Sequence, residues 1–165
     1  MSNMSFENLV NEHGRQVLST AMRVLRDANL AHDVHQEVFL AIWRRWHRYN
    51  GDVNWPAYLY RATVRKALEM AHRRMNGHGR VAPARGSVAD GPDAVMQADE
   101  LQQKLAAALA RLPRRQADAF VLSRLEGLEA AEIAGIMGCS EPTVRVHLHR
   151  AIVRLARELH DCLGQ

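Results

Sequence analysis

The stretch whose reading decides the fold runs from Leu128 to Leu155, LEAAEIAGIMGCSEPTVRVHLHRAIVRL. Its spacing predicts two helices joined by a tight turn, Gly138-Cys139-Ser140. Glycine takes the positive φ that ends one helix, and serine supplies the capping oxygen for the next. Pro142 fits only a first helical turn, where its missing N–H removes no hydrogen bond. Ala134 is small where the two helices must approach, and Val144 opens an apolar stripe with Leu148, Ala151, Ile152 and Leu155. That is helix-turn-helix spacing. The opposite face presents Pro142, Thr143, Val146, His149 and Arg150 with Arg145 on its flank, side chains able to reach base edges or phosphates of a duplex. An αα-hairpin inside a bundle is the competing reading, in which the arginines are merely solvated.

Working back from this motif, a helix is expected from about Ala94 to Arg111, and Leu112-Pro113 starts another with Ala117, Phe120, Val121 and Leu125 on its core face, ended by Gly127. Before them, Asn76 to Asp93, NGHGRVAPARGSVADGPD, is dense in Gly, Pro, Ala and Ser without apolar period and reads as a flexible tether. Fully extended, such a segment spans about 60 Å. The expected architecture is all-α: two small helical domains, residues 1–75 and 94–165, joined by a linker over 76–93, the second containing the helix-turn-helix.

In the first half, Leu9, Val10, Val17, Leu18, Ala21 and Leu25 recur at helical spacing and predict a helix from Phe6 to Arg26. Asp27-Ala28-Asn29 breaks the pattern. A second helix, about Ala31 to His47, carries Val34, Val38, Ala41 and Ile42 on one stripe and a further apolar pair, Leu40 and Trp43, on another face beside Asp33, Gln36 and Glu37. Either the helix is sandwiched and buried on both sides, or Leu40 and Trp43 anchor a partner. A loop, Tyr49-Asn50-Gly51-Asp52-Val53-Asn54-Trp55, precedes a third helix from Pro56 to about Arg74. Its outer face, Tyr58, Arg61, Arg65 and His72, mixes cations with an aromatic ring. Beside a polar loop this suits single-stranded nucleic acid, because every base offers a face for stacking and the backbone needs cations.

Composition narrows the classes. With 47% hydrophobic residues the 165-residue chain is not disordered, and 22 Lys+Arg against 18 Asp+Glu leaves +4, so placement of charge says more than its total. Cys139 and Cys162 make neither a disulfide framework nor a zinc site, and no apolar run approaches a membrane span. A soluble cytoplasmic chain without membrane insertion is expected. No Gly-rich phosphate loop or nucleophile–base set is present, so no catalytic residue, metal or cofactor is assigned. A helical metalloprotein, suggested by Glu69-x-x-His72 and by His32 and His35, would need a second Glu-x-x-His that the chain lacks.

Taken together these motifs resemble an extracytoplasmic-function (ECF) sigma factor of the sigma-70 family over nearly the whole chain. DVHQEVFLAIW, Asp33 to Trp43, is similar to that family's D-x-x-Q-E-x-F helix; WPAYLYRATVRKALE, Trp55 to Glu69, to its strand-opening helix; Leu112 to Ala151 to its reader of the upstream promoter element. The resemblance implies a promoter-directing subunit of RNA polymerase, not an enzyme. Asp33, Gln36, Glu37, Leu40 and Trp43 would hold the β′ clamp helices of the polymerase core. Tyr49, Asn50, Asp52, Asn54, Trp55 and Tyr58 would catch a base of the opened strand, with Arg61 and Arg65 on its phosphates. Pro142, Thr143, Arg145, Val146, His149 and Arg150 would read duplex promoter DNA. It further implies a contact to the polymerase β flap and an anti-sigma protein as regulator. The chain has Tyr58 where the family commonly has Trp, Arg65 for Asn, Val146 for a small polar residue and Ile152 for Arg, so no promoter sequence carries over. A helix-turn-helix regulator acting without polymerase is the alternative; it leaves Leu40 and Trp43 without a use.

Overall fold

The computed structural model describes residues 4–49, 51–75 and 92–164. Among them the secondary structure is helical throughout: α1 (Phe6–Leu25), α2 (Ala28–Arg44), α3 (Trp55–Met75), α4 (Pro92–Arg111), α5 (Arg114–Phe120), α6 (Ala130–Met137) and α7 (Glu141–Leu163). A 3-10 turn, Trp46–Arg48, follows α2, and a π-turn, Val121–Leu125, extends α5. The expected linker lies mostly outside the described residues; at its end, Pro92 and Asp93 already belong to α4. Proline there sits in a first turn, where a helix tolerates it.

Caps set the helix boundaries. Ser5 accepts a hydrogen bond from the Asn8 N–H and starts α1, while Arg26 takes the left-handed conformation, φ 50°, and ends it. The sequence predicts a three-residue break and a restart near Ala31. The structure restarts at Ala28, because the Asp27 carboxylate accepts from the N–H groups of Asn29 and Leu30 at 2.9 and 3.1 Å and so caps α2 at once. Asp27 is buried, with Arg74 of α3 3.8 Å away. At its other end α2 stops at Arg44, short of the expected His47, and tightens into the 3-10 turn.

Ala31, Val34, Val38, Phe39 and Ile42 of α2 are buried against α1 and α3. Ala41, expected on this stripe, is exposed, and Phe39, at the opposite edge of the buried face, is in the core. The α3 inner face, Leu59, Thr63, Val64, Ala67, Met70 and Ala71, is buried as its spacing requires. Ala106, Ala108, Leu109 and Leu112 of the α4 end, Ala117 of α5, Val121 of the π-turn, and Ala151 and Leu155 of α7 join the same apolar cluster. A second cluster, Leu122, Ile133, Ala134, Met137 and Val144, is the core of the helix-turn-helix, and Tyr60 of α3 packs on it.

Within that motif a capping box starts α6: the Glu129 side chain accepts from the backbone N–H of Glu132, and Glu132 accepts from the Glu129 N–H at 3.0 Å. Gly138, φ 67°, closes it with an N–H bond to the Ala134 carbonyl, and Ser140 caps α7 through the Thr143 N–H. A Cβ at Gly138 would meet nothing within 4 Å, so only backbone strain opposes a side chain there. Gly138→Ala is therefore expected to destabilise the protein by about 1–2 kcal/mol, read as a drop of several degrees in the thermal midpoint; an unchanged midpoint would mean the turn relaxes out of the left-handed region.

Candidate polymerase and nucleic-acid interface

The first candidate surface is on α2. Leu40 and Trp43 are 45% and 57% exposed, which excludes the sandwiched-helix reading. Trp43 leans on Phe6 of α1, ring centroids 4.9 Å apart and tilted by 58°, so the indole is braced while more than half of the residue stays exposed. Asp33 and Gln36 are exposed beside the pair. Glu37 differs: its carboxylate is 3.1 Å from Lys66 Nζ of α3, tying the surface helix to its neighbour.

The second surface is the loop before α3. Of its expected contacts, Asn50 lies outside the described residues. Asp52 is exposed, Gly51 turns the chain with φ 79°, and Tyr58 stands at the rim. Asn54 and Trp55 have structural work here. The Asn54 side-chain oxygen accepts from the Ala57 N–H at 3.2 Å, holding the start of α3. Trp55 is only 8% exposed and stacks on Trp46, 5.7 Å between centroids at 19°. Tyr49 meets the Trp55 edge at 5.1 Å, and its hydroxyl is 3.0 Å from that of Tyr58. Burial, reinforced by the hydrogen bond to Tyr58, pushes the Tyr49 hydroxyl up to about 12, so it stays a neutral O–H at physiological pH. Trp46, which sequence reasoning did not single out, supplies the floor of this aromatic box; a Trp nine residues before Trp55 was the available signal. Arg61 is half-buried and Arg65 exposed on the same side of α3 as Tyr58.

The third surface is the outer face of α7. Pro142, Arg145, Val146, His149 and Arg150 are exposed and Thr143 is half-buried, as the helical spacing requires. Val146, 46% exposed, stands between cations. Ile152, expected in the core stripe, is exposed; Val144, Ala151 and Leu155 are buried without it. Arg145 is held 3.3 Å from Glu141 one turn earlier. Arg115 of α5 was missed by sequence reasoning. Its guanidinium reaches the Met137 carbonyl at 3.5 Å, and together with Arg150 it acts on His147, whose pKa falls through burial first and these two cations second. Arg115 and Arg150 thus share one corner of the motif.

Glu69 pairs with Lys66 and Arg73, and among the described residues no group of three His, Cys, Asp or Glu side chains is placed to hold a metal ion. Among the described residues no helix is long and apolar enough to cross a membrane.

Comparison with known proteins agrees with this layout. Residues 9–76 match the family model for sigma-70 region 2 and residues 102–155 that for sigma-70 region 4. The chain is 32% identical to the ECF RNA polymerase sigma factor SigM of Mycobacterium tuberculosis, over 94% of this chain and 77% of that protein. It is 27% identical to the RNA polymerase sigma-H factor of Pseudomonas aeruginosa, over 98% of this chain and 89% of that one. The solved structure of CnrH in complex with the cytosolic domain of CnrY superposes with a TM-score of 0.52 at 23% identity, covering 94% of this chain and 88% of that one, a likeness of fold. Region 2 holds α1 to α3 and region 4 holds the helix-turn-helix, in the order expected of the motifs, and the chain belongs to the ECF class of the sigma-70 family of RNA polymerase sigma factors.

Proposed function

We propose that the protein directs core RNA polymerase to particular promoters and helps open the downstream element, with no catalytic step of its own, in the cytoplasm of a bacterium. The observation that carries this reading is the exposed pair Leu40 and Trp43 on a helix whose other face is fully packed. Large apolar side chains held in water on a rigid element mark a protein partner, and a regulator that only grips duplex DNA has no use for them. In this reading Asp33, Gln36, Glu37, Leu40 and Trp43 dock on the β′ clamp helices, and α7 reads intact duplex through Arg145, Val146, His149 and Arg150. Residues 1–75 and 94–165 work as separate domains on the two promoter elements.

Strand capture uses the aromatic box. A base turned out of the duplex enters between Asp52 and the Tyr49–Tyr58 rim, with Trp46 and Trp55 beneath as a stiff apolar floor. The unstacking cost, a few kcal/mol, is offset by stacking and hydrogen bonding in the pocket. Tyr49, kept neutral, donates or accepts there without adding negative charge beside a phosphate. Arg61 and Arg65 take the phosphates of the next nucleotides. The family resemblance supports a flap contact and an anti-sigma regulator as further partners.

Run-off transcription with purified core polymerase and a promoter library tests the whole reading. Discrete transcripts that depend on the protein are expected. Failure of the chain to retain core polymerase in a pull-down, with duplex binding intact, would leave the polymerase-independent regulator in its place.

A further inference from the structure

Glu37 stands on the α2 docking face, one helical turn from Asp33 on one side and from Leu40 on the other. Its Oε2 lies 3.1 Å from Lys66 Nζ of α3, and the same ammonium is 3.2 Å from Glu69 Oε2, one turn farther along its own helix. Arg73 in turn pairs with Glu69. Side chains of alternating sign, Glu37, Lys66, Glu69 and Arg73, thus run from the docking face across the seam between α2 and α3. The Lys66 side chain is 27% exposed, so its stem is covered while its head bridges two carboxylates. Burial acts to lower its pKa and the carboxylates more than offset this, leaving it raised and the amine charged at physiological pH. The Glu37 side chain is still 43% exposed. Lys66 engages Oε2, which leaves Oε1 for a donor arriving from outside.

The helix that carries Glu37 is already fixed. Phe6 of α1 braces Trp43, and Arg74 stands 3.8 Å from Asp27 at the α2 N-cap, so Lys66 has only a side chain left to place. Its influence on docking has two opposed parts. A positive charge beside an acidic face weakens the pull of that face on a basic partner. Against this, an anchored glutamate has lost freedom that docking would otherwise have to freeze. The second part prevails here because the charge of Lys66 is shared with Glu69. Take the ammonium away and the two carboxylates it bridges are left close together and repel, which drives Glu37 from its place.

We propose that Lys66 is a positioning residue for polymerase docking: it sets the Glu37 carboxylate on the exposed face of α2 and keeps Glu69 from displacing it. This rests on Glu37 being a docking contact. Lys66 itself points its charge along the seam and touches no partner.

The test uses the full chain and core polymerase, with affinity read by fluorescence competition at low and at physiological salt. Lys66→Met keeps the apolar stem and removes the cation; it should weaken docking about fivefold, the worth of one long side chain ordered in advance. Lys66→Arg keeps a cation within reach of both carboxylates and should dock as wild type does. Glu37→Gln should cost at least as much as Lys66→Met, and the two changes together should cost no more than Glu37→Gln alone, because Lys66 acts through Glu37. A general loss of stability would give neither the rescue by arginine nor this non-additivity. If charge alone ruled, Lys66→Met would dock more tightly, most of all at low salt. That result, an unchanged affinity, or a loss that persists in the Glu37→Gln background overturns the proposal. If Glu37→Gln docks as wild type while Trp43→Ala does not, Glu37 is no contact, and its docking assignment fails together with the positioning role while the Trp43 surface stands.

Discussion

Trp43→Ala is expected to weaken binding to core polymerase by about 30-fold or more, the loss of 2 kcal/mol or above that marks an interface hot spot. Three features put the largest effect here. The indole offers more apolar area than any other exposed residue of α2, and apolar area is the main source of association energy. It is braced by Phe6, so little side-chain freedom remains to be lost on binding. Leu40, one helical turn earlier, extends the patch. Because the ring is more than half exposed, its removal should hardly change the thermal midpoint, which separates lost docking from lost folding. Leu40→Ala should weaken docking less, as it removes a smaller side chain. Fluorescence competition against labelled wild type for core polymerase measures both; full affinity in Trp43→Ala would move the docking surface elsewhere.

What could be read from the sequence was local. Gly138, Ser140 and Pro142 fix the helix-turn-helix within five residues, since each acts through its own backbone or its nearest neighbours. The uncovered state of Leu40 and Trp43 was one of two readings of a helix with two apolar faces, and only the placement of α1 and α3 decides between them. Ala41 and Ile152 were misplaced because periodicity gives every apolar residue on a stripe equal weight. In the fold the buried arc of α2 extends to Phe39 on one edge and leaves Ala41 exposed on the other, and Ile152 is exposed on α7. Asn54 and Trp55 were expected as strand contacts from the family resemblance; an amide before a helix is also a cap, and a tryptophan beside Trp46 is also a floor. Arg23–Glu126 had no local signature. Such contacts depend on the π-turn and on how the halves pack, which no short window of sequence encodes.

Arg150→Ala is expected to lower affinity for duplex promoter DNA about tenfold at physiological salt and to reduce the slope of log affinity against log salt by about one unit, the signature of one lost phosphate contact. Arg150 lies on the exposed corner that Arg115 also reaches, beside His147, whose pKa is lowered by burial first and by these two cations second. Two guanidinium groups at one corner make a site of positive potential, and a phosphate entering it relieves their mutual repulsion. Arg145 should behave differently although it too is exposed. It must leave Glu141, 3.3 Å away, before it can serve DNA, so Arg145→Ala should cost less than Arg150→Ala. Glu141→Gln should accordingly raise affinity by freeing Arg145 and removing a negative charge from the DNA-facing end of α7. Val146 separates base reading from phosphate binding. If its methyls rest on a thymine, Val146→Ala leaves the salt slope unchanged and relaxes preference at a single base pair. Titrations of the four variants on a promoter fragment and on unrelated duplex, at several salt concentrations, distinguish these outcomes. Equal slopes for Arg150→Ala and wild type would take that corner of α7 off the DNA.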